Sequence, residues 1–244
     1  MKLSIIIPAH NEEKRIQKTI ESYHSFFAKK IENFELVIVL NGCTDRTLSI
    51  VKKLSQQLSS LVIINTTDAG KGLAIKIGFT NALKRANDLI GFVDADMATA
   101  PEAFYKLVQN VGVADGIIAS RYMQGAWVYP PRPRYKRWGS KIVYEPAVKL
   151  LFNLPYYDLQ CGAKLFKRET IETIILHIII SDWAIDLELL YLCKKYKFTV
   201  KEFPTVWYDQ TDSKLTLRGG MRMLGSTVGL RLWHSPLRFL FRNR

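Results

Sequence analysis

Two aspartates one residue apart, Asp94 and Asp96, follow the apolar run Leu89-Ile90-Gly91-Phe92-Val93. Carboxylates so spaced suit a hard divalent cation, Mg²⁺ or Mn²⁺, which takes oxygen ligands and often sits against phosphate groups. If the run is a strand, side chains two apart share a face, so both carboxylates leave its C-terminal end together. In an open α/β sheet that end is where ligands bind. An Asp-x-Asp alone is common, and both residues could simply belong to the loop before the helix signalled by Thr99 and Pro101. The segments on either side decide between these readings.

Short apolar runs alternate with helix-like segments through the first half, the pattern of an α/β fold with a mostly parallel sheet. Leu3–Pro8 reads as a strand and Asn11 to about Phe27 as an amphipathic helix. Phe34–Leu40 and Leu61–Asn65 read as strands, each followed by a helix, to about Leu58 and about Ala86. Leu89–Val93 and Gly116–Ser120 complete the set. Four strand ends then carry Pro8-Ala9-His10-Asn11-Glu12-Glu13, Asn41-Gly42-Cys43-Thr44-Asp45, Gly70-Lys71-Gly72 and Asp94-Ala95-Asp96. Singly, each is a strand exit, a helix cap or a tight turn, and Gly70-Lys71-Gly72 is too short for a Walker P-loop. Together they suit a nucleotide, with helix N-termini and backbone N–H groups facing its anionic groups.

Composition limits the partners. The formal net charge of +13 over 244 residues favours an anionic one: nucleotide, lipid headgroup or nucleic acid. No nucleic-acid reader motif or aromatic platform accompanies that charge. Cys43, Cys161 and Cys193 are widely spaced without a Cys-x-x-Cys pair, which points to a reducing compartment rather than to disulfides or zinc. A strand begins at Lys2 with no leader before it, and no run of about 18 uncharged apolar residues is present to span a bilayer. Ile171–Leu192 comes nearest, but it carries Glu172, Asp182, Asp186 and Glu188 and reads as buried helices. These features predict a cytoplasmic protein. His24 and His177 lack partners at metal-ligand spacing, and His10 reads as a packing residue.

In order and spacing, the four loops resemble the family 2 glycosyltransferases of the Rossmann-like GT-A fold, a twisted, mostly parallel sheet flanked by helices. The resemblance implies a nucleotide-sugar donor with its pyrophosphate bound through a metal at Asp94 and Asp96. It places Pro8, Ala9, Glu12, Asn41 and Asp45 along the nucleoside, and Lys71 near it or the phosphates. Many relatives carry an aspartate where this chain has Asn41.

Ser120-Arg121-Tyr122, the basic segment from Arg132 to Ser140, and Asp158-Leu159-Gln160-Cys161-Gly162-Ala163-Lys164 narrow the resemblance to the polyprenyl-phosphate glycosyltransferases. Asp186-Leu187-Glu188-Leu189-Leu190 and Phe203-Pro204-Thr205-Val206-Trp207 lean toward the dolichyl-phosphate glucosyltransferases rather than the mannose synthases. The latter usually show Gln where this chain has Ala98. Many relatives continue into transmembrane helices, and none is expected within these residues. By motif position Arg121, Arg137 and Ser140 would hold the acceptor phosphate, because a planar guanidinium matches phosphate oxygens. Arg132 and Arg134 read equally well as a solvated loop. Asp158, Gln160 and Asp186 would contact sugar hydroxyls or anchor the acceptor loop, and Cys161 reads as a small buried residue.

The implied reaction is inverting transfer of a hexose, glucose from UDP-glucose, to a polyprenyl phosphate. GDP-mannose as donor, a glycan as acceptor, and a non-catalytic membrane-bound regulator are the alternatives. Residues 1–218 would form the GT-A domain and 219–244 a basic amphipathic segment, peripheral on the cytoplasmic face of an anionic membrane. Met221, Leu224, Val228 and Leu232 recur on one helical face. Arg218, Arg222, Arg231, Arg238, Arg242 and Arg244 surround them, with Trp233, Phe239, Leu240 and Phe241 as interfacial anchors.

Overall fold

The computed structural model describes residues 1–131, 145–209 and 217–235. Arg132, Arg134, Arg137, Ser140 and the tail from residue 236 onward lie outside the described residues, as do the side chains of Met221 and Leu224.

Parallel strands covered on both faces need near-continuous apolar sequence. The chain supplies it in β1 (Lys2–Ala9) and β2 (Asn33–Asn41), where every residue from Leu3 and from Glu35 onward is buried. Between and after them come α1 (Ile16–Phe27), α2 (Thr47–Ser55), β3 (Leu61–Thr66), α3 (Lys71–Leu83), β4 (Leu89–Val93), α4 (Pro101–Asn110) and β5 (Gly116–Ser120). The second half adds β6 (Trp127–Tyr129), α5 (Glu145–Phe152), β7 (Ala163–Lys167), α6 (Arg168–Ile174) and α7 (Ile185–Lys195). It ends with β8 (Val200–Pro204), β9 (Val206–Tyr208) and α8 (Leu217–Trp233).

Seven strands form one sheet in the order β3-β2-β1-β4-β7-β5-β8. Alternate residues of β1 divide between its faces: Leu3, Ile5 and Ile7 pack with α1, α2 and α4, and Ile6 packs with α3, α6 and α7. β7 runs antiparallel to β4 and β5, while the other pairings in this sheet are parallel. An antiparallel strand starts where its neighbours end. Ala163 at the head of β7 therefore pairs with Val93 at the end of β4, and the Asp158–Gly162 loop lies beside Asp94. β6 and β9 form a separate two-stranded ribbon, tied to the Asp94–Asp96 loop where the Tyr208 N–H donates to the Ala98 carbonyl.

The sequence did not reveal β7, because its lysines interrupt the apolar run, nor the short ribbon. α1 begins at Ile16 rather than near Asn11, because Asn11 adopts φ +53° and the chain turns through Glu12. The division expected at residue 218 falls inside α8, on which Thr227 and Leu230 are fully buried. Val228, placed by periodicity on the apolar stripe, is 43% exposed. No helix among the described residues is long and apolar enough to cross a membrane.

Gly91 sets how closely β7 approaches β4. A Cβ there would lie 2.6 Å from the Lys164 carbonyl oxygen and 2.9 Å from the Phe104 ring. Backbone cannot yield as a side-chain tip does, so Gly91→Ala should cost about 1–3 kcal/mol, the range for overpacking. Denaturant unfolding of the two proteins checks this.

Candidate active site

Side chains from neighbouring loops lock the four strand ends together. Asn11 Oδ1 accepts N–H bonds from Thr44 and Asp45. The Asn41 amide is engaged at both ends: Nδ2 donates to the Ala9 carbonyl at 3.1 Å, and Oδ1 accepts from the Gly70 N–H at 3.3 Å. An ionised aspartate could not make the first of these bonds, so the amide has a local reason to be here. Asp45 ties the start of α2 to the first loop by accepting the Thr47 N–H at 2.9 Å and the Glu13 N–H at 3.1 Å. Burial works against its charge, but the Thr47 and Glu13 bonds prevail and hold the carboxyl below its ordinary range. The Glu12 N–H donates to Thr47 Oγ1, and its carboxylate pairs with Arg15 at 2.6 Å. Pro8 and Ala9 are buried at the end of β1. Thus Ala9, Glu12, Asn41 and Asp45, expected along a nucleoside, build the rim of the site through contacts with one another and with its loops.

Below the rim runs a chain of buried ion pairs. Lys71 Nζ, at the start of α3, lies 2.8 Å from Asp94 Oδ1 and 3.1 Å from Asp186 Oδ2. Lys164 Nζ, on β7, lies 2.7 Å from Asp186 Oδ1 and donates to the Cys161 carbonyl at 2.7 Å. Lys164 is wholly inaccessible to solvent. Burial alone would lower the Lys71 pKa, but Asp186 and Asp94 outweigh it and raise it. For Asp186 burial likewise opposes the charge, and the two lysines hold its carboxyl below the usual range. Breaking such a pair by removing one partner costs about 3–5 kcal/mol, since the other charge stays buried.

Asp94 has a tight floor. Its N–H donates to the Gly162 carbonyl at 3.0 Å, and a Cβ at Gly162 would fall 1.8 Å from Asp94 Oδ2. Asp96 accepts the Ala98 N–H at 3.0 Å. Burial and then the Asp94 charge push the Asp96 carboxyl up to about 6. A divalent cation would relieve that repulsion, and two carboxylates suit a hard metal. Among the described residues no group of three or more His, Cys, Asp or Glu could hold one, so Asp94 and Asp96 are the residues that would. The residues fit the expected Mg²⁺ or Mn²⁺.

Arg121 does not present the open fork expected for an acceptor phosphate. Its Nε and Nη2 bind Asp158 at 2.7 and 2.8 Å, its N–H binds the same carboxylate at 2.9 Å, and Trp207 lies over the guanidinium at 4.8 Å. Asp158, expected at a sugar hydroxyl or as an anchor of the acceptor loop, is engaged by the same pair; burial opposes its charge but Arg121 keeps it ionised. Glu202 on β8 fixes the loop by accepting the Tyr157 and Asp158 N–H groups, both at 2.8 Å. The Gln160 N–H donates to Asp158 at 3.3 Å. Burial pushes the Cys161 thiol up to about 12, so it is no nucleophile at neutral pH.

Sequence reading assigned no role to Lys164, to Gly162 as the floor of Asp94, or to the loop Ile178–Trp183. That loop crosses the Gly70-Lys71-Gly72 turn: the Leu73 N–H donates to the Ser181 carbonyl, and a Cβ on Gly72 would lie 2.6 Å from the Ile180 carbonyl oxygen. The Trp183 ring lies 5.2 Å from Lys71 Nζ. One signal was available: Asp186 in the apolar helix Ile185-Asp186-Leu187-Glu188-Leu189 demands a buried partner, and Lys164 stands in an equally apolar strand.

Gly162→Ala should displace the Asp94 carboxylate and abolish metal binding, read by Mn²⁺ titration, while far-UV circular dichroism stays that of a folded protein. For Asp96 the sign follows from its raised pKa. The folded protein binds more protons than the unfolded between the ordinary 3.8 and about 6, so this group lowers stability as pH rises through that interval. Asp96→Asn should therefore raise the melting temperature of metal-free protein at pH 7, with little change at pH 3, and remove stabilisation by Mn²⁺. A melting temperature at pH 7 equal to or below wild type would contradict this account.

Comparison with known proteins agrees with the geometry. The pattern of "Glycosyl transferase family 2" matches residues 4–175. The chain is 30% identical over 240 residues to the glycosyltransferase AglD of Haloferax volcanii, covering 96% of this chain but 37% of that protein. It is 30% identical over 237 residues to the dolichyl-phosphate beta-glucosyltransferase of Drosophila melanogaster, covering 88% and 70% of the two chains. Among solved structures, glucosyl-3-phosphoglycerate synthase of Mycobacterium tuberculosis with Mn²⁺, UDP and phosphoglyceric acid superposes with a TM-score of 0.71 at 16% identity, over 95% of this chain and 77% of the other. That likeness carries the fold, GT-A. The chain belongs to glycosyl transferase family 2 and is a glycosyltransferase.

Proposed function

We propose that this enzyme transfers glucose from UDP-glucose to a polyprenyl phosphate, with inversion at the anomeric carbon. The observation that carries the acceptor class is the state of the site's carboxylates. Lys71 holds Asp94, Lys71 and Lys164 hold Asp186, and Arg121 holds Asp158. Asp158 and Asp186, held ionised by these pairs, make poor proton acceptors, and Asp94 and Asp96 would be taken by the metal. A sugar hydroxyl needs a base to become a nucleophile. A phosphate monoester is already an anion near neutral pH. Its oxygen attacks the anomeric carbon, the bond from that carbon to the donor's β-phosphate oxygen breaks, and the electron pair leaves with the nucleoside diphosphate. No proton need move.

Asp94 and Asp96 would hold the divalent cation, which when bound neutralises the leaving diphosphate as a Lewis acid. Lys71 stands beside it as a second positive group for the same phosphates. Solved structures of the same fold contain Mn²⁺ or Mg²⁺ with UDP, and curated relatives are named dolichyl-phosphate beta-glucosyltransferases. Arg137 and Ser140 remain the proposed acceptor-phosphate ligands, joined by Arg121 only through donors that Asp158 leaves available. Because the acceptor is a lipid, we place the protein peripherally on the cytoplasmic face of an anionic membrane. The basic tail after Pro236, rather than the packed part of α8, would be its main anchor.

Offered UDP-glucose, UDP-galactose and GDP-mannose with a short polyprenyl phosphate, the enzyme should make glucosyl lipid from the first and stop when the metal is chelated. Mannosyl lipid as the main product would transfer the reading to GDP-mannose, and no lipid product from any donor would end it. Truncation after Ser235 should weaken sedimentation with anionic vesicles in low salt and leave binding of UDP unchanged. Equal vesicle binding by both forms would exclude the tail as anchor.

A further inference from the structure

Lys164 has no place in the chemistry just described, yet it is a wholly buried ammonium. Its partners are the Cys161 carbonyl and one oxygen of Asp186; the other oxygen of Asp186 faces Lys71, whose ammonium also meets Asp94. Lys71 is thereby shared between a carboxylate that has a second cation and one that would bind a metal. It is also walled in, with the Phe92 ring 5.8 Å and the Trp183 ring 5.2 Å from Nζ. Two ammoniums, Lys71 and Lys164, face three carboxylates, Asp94, Asp96 and Asp186, so the fully ionised cluster carries one net negative charge. A divalent cation reverses that sign and makes the cluster attractive to a diphosphate.

We propose that Lys164 is a positioning residue for the donor: through Asp186 it holds Lys71 at a fixed point where the ammonium stands in for a cation at Asp94, and Lys71 turns to the donor's diphosphate when a divalent cation takes that carboxylate. The strut is rigid for a structural reason. Lys164 lies on β7, paired with Phe92 of β4 and Ile118 of β5, and Asp186 lies in the first turn of α7. The Lys164 backbone cannot shift without moving the sheet, and Asp186 is fixed on its helix. The long side chain of Lys71 is the one member of the chain able to exchange partners, and Asp94 is the partner it can lose while Asp186 still holds it. Without the strut Lys71 would pair wholly with Asp94 and compete with the metal.

This rests on the reading of Asp94 and Asp96 as the metal site of the donor, and the experiment separates the two. Mn²⁺ binding is measured by electron paramagnetic resonance of the free ion, and UDP binding by calorimetry with and without Mn²⁺. The proteins compared are wild type, Lys71→Met and the charge-balanced double variant Lys164→Met with Asp186→Asn. Lys71→Met should bind Mn²⁺ more tightly than wild type without nucleotide and bind UDP more weakly with Mn²⁺, each by roughly tenfold, a usual size for coupled sites. The double variant leaves the net charge unchanged, and leaves no buried charge without a partner, so it should fold by circular dichroism and thermal melting. It should nonetheless bind both Mn²⁺ and UDP more weakly, by about five-fold or more. A purely structural role for Lys164 would leave these affinities at wild-type values once folding is restored. Wild-type affinities in the folded double variant, or unchanged Mn²⁺ binding in Lys71→Met, would overturn the proposal. Failure of wild type itself to bind Mn²⁺ would remove the metal reading and this inference together.

Discussion

The Asp94–Lys71–Asp186–Lys164 chain of ion pairs is the constraint on which the rest of the site depends. It joins the end of β4 and the start of α3, in the first half of the chain, to the start of α7 and the second residue of β7, in the second half. Charges taken out of water are costly, and their mutual attraction repays the cost only when each is well partnered. Each lysine here has two oxygen partners, and both oxygens of Asp186 are used. A hydrophobic replacement could be as stable, so stability alone does not explain the arrangement. What it supplies is a fixed electrostatic field at the end of β4, where a carboxylate pair would otherwise stand alone.

That field requires the single antiparallel strand of the main sheet. In an all-parallel arrangement the segment before β7 would start at the opposite edge, far from Asp94. Reversing β7 brings Gly162 and Cys161 to the end of β4, and it is there that the absent side chain of Gly162 makes room for Asp94 Oδ2. The same loop carries Asp158, whose pairing with Arg121 braces it against β5 on the other side. One topological choice thus sets both the floor of the carboxylate pair and the wall beside it.

The strand ends were legible because parallel, buried strands leave long apolar runs and because their polar exits recur. β4 and β5 fall at the residues expected, and the loops meet as the α/β pattern requires. What the sequence concealed follows from tertiary pairing. Arg121 and Asp158 lie 37 residues apart, and read separately each looked available to a substrate. Asn41 looked like a nucleoside contact because nothing local shows that the Ala9 carbonyl and Gly70 N–H occupy it. Lys164 interrupts an apolar run, which hid the strand, although its burial beside Asp186 is what makes the strand matter. Helical periodicity misled at Val228, since the face of α8 that packs is the one carrying Thr227 and Leu230.

α8 is tied by buried contacts to the loop beside Lys71. Glu188, fully buried in α7, accepts the Ile179 and Ile180 N–H groups at 3.0 and 2.9 Å and meets His234 Nε2 at 2.9 Å. Ser226 bonds Asp182 of the same loop, and Arg231 donates to the Leu151 carbonyl of α5. The loop so held is the one that crosses Gly70 and Gly72 and sets Trp183 beside Lys71. Removing α8 would leave Glu188 short of a partner in the interior and free the cover of the Lys71 turn. The described end of α8 is therefore part of what holds the loop beside Lys71, and its exposed residues, Val228 and Trp233, are the ones left for any further contact.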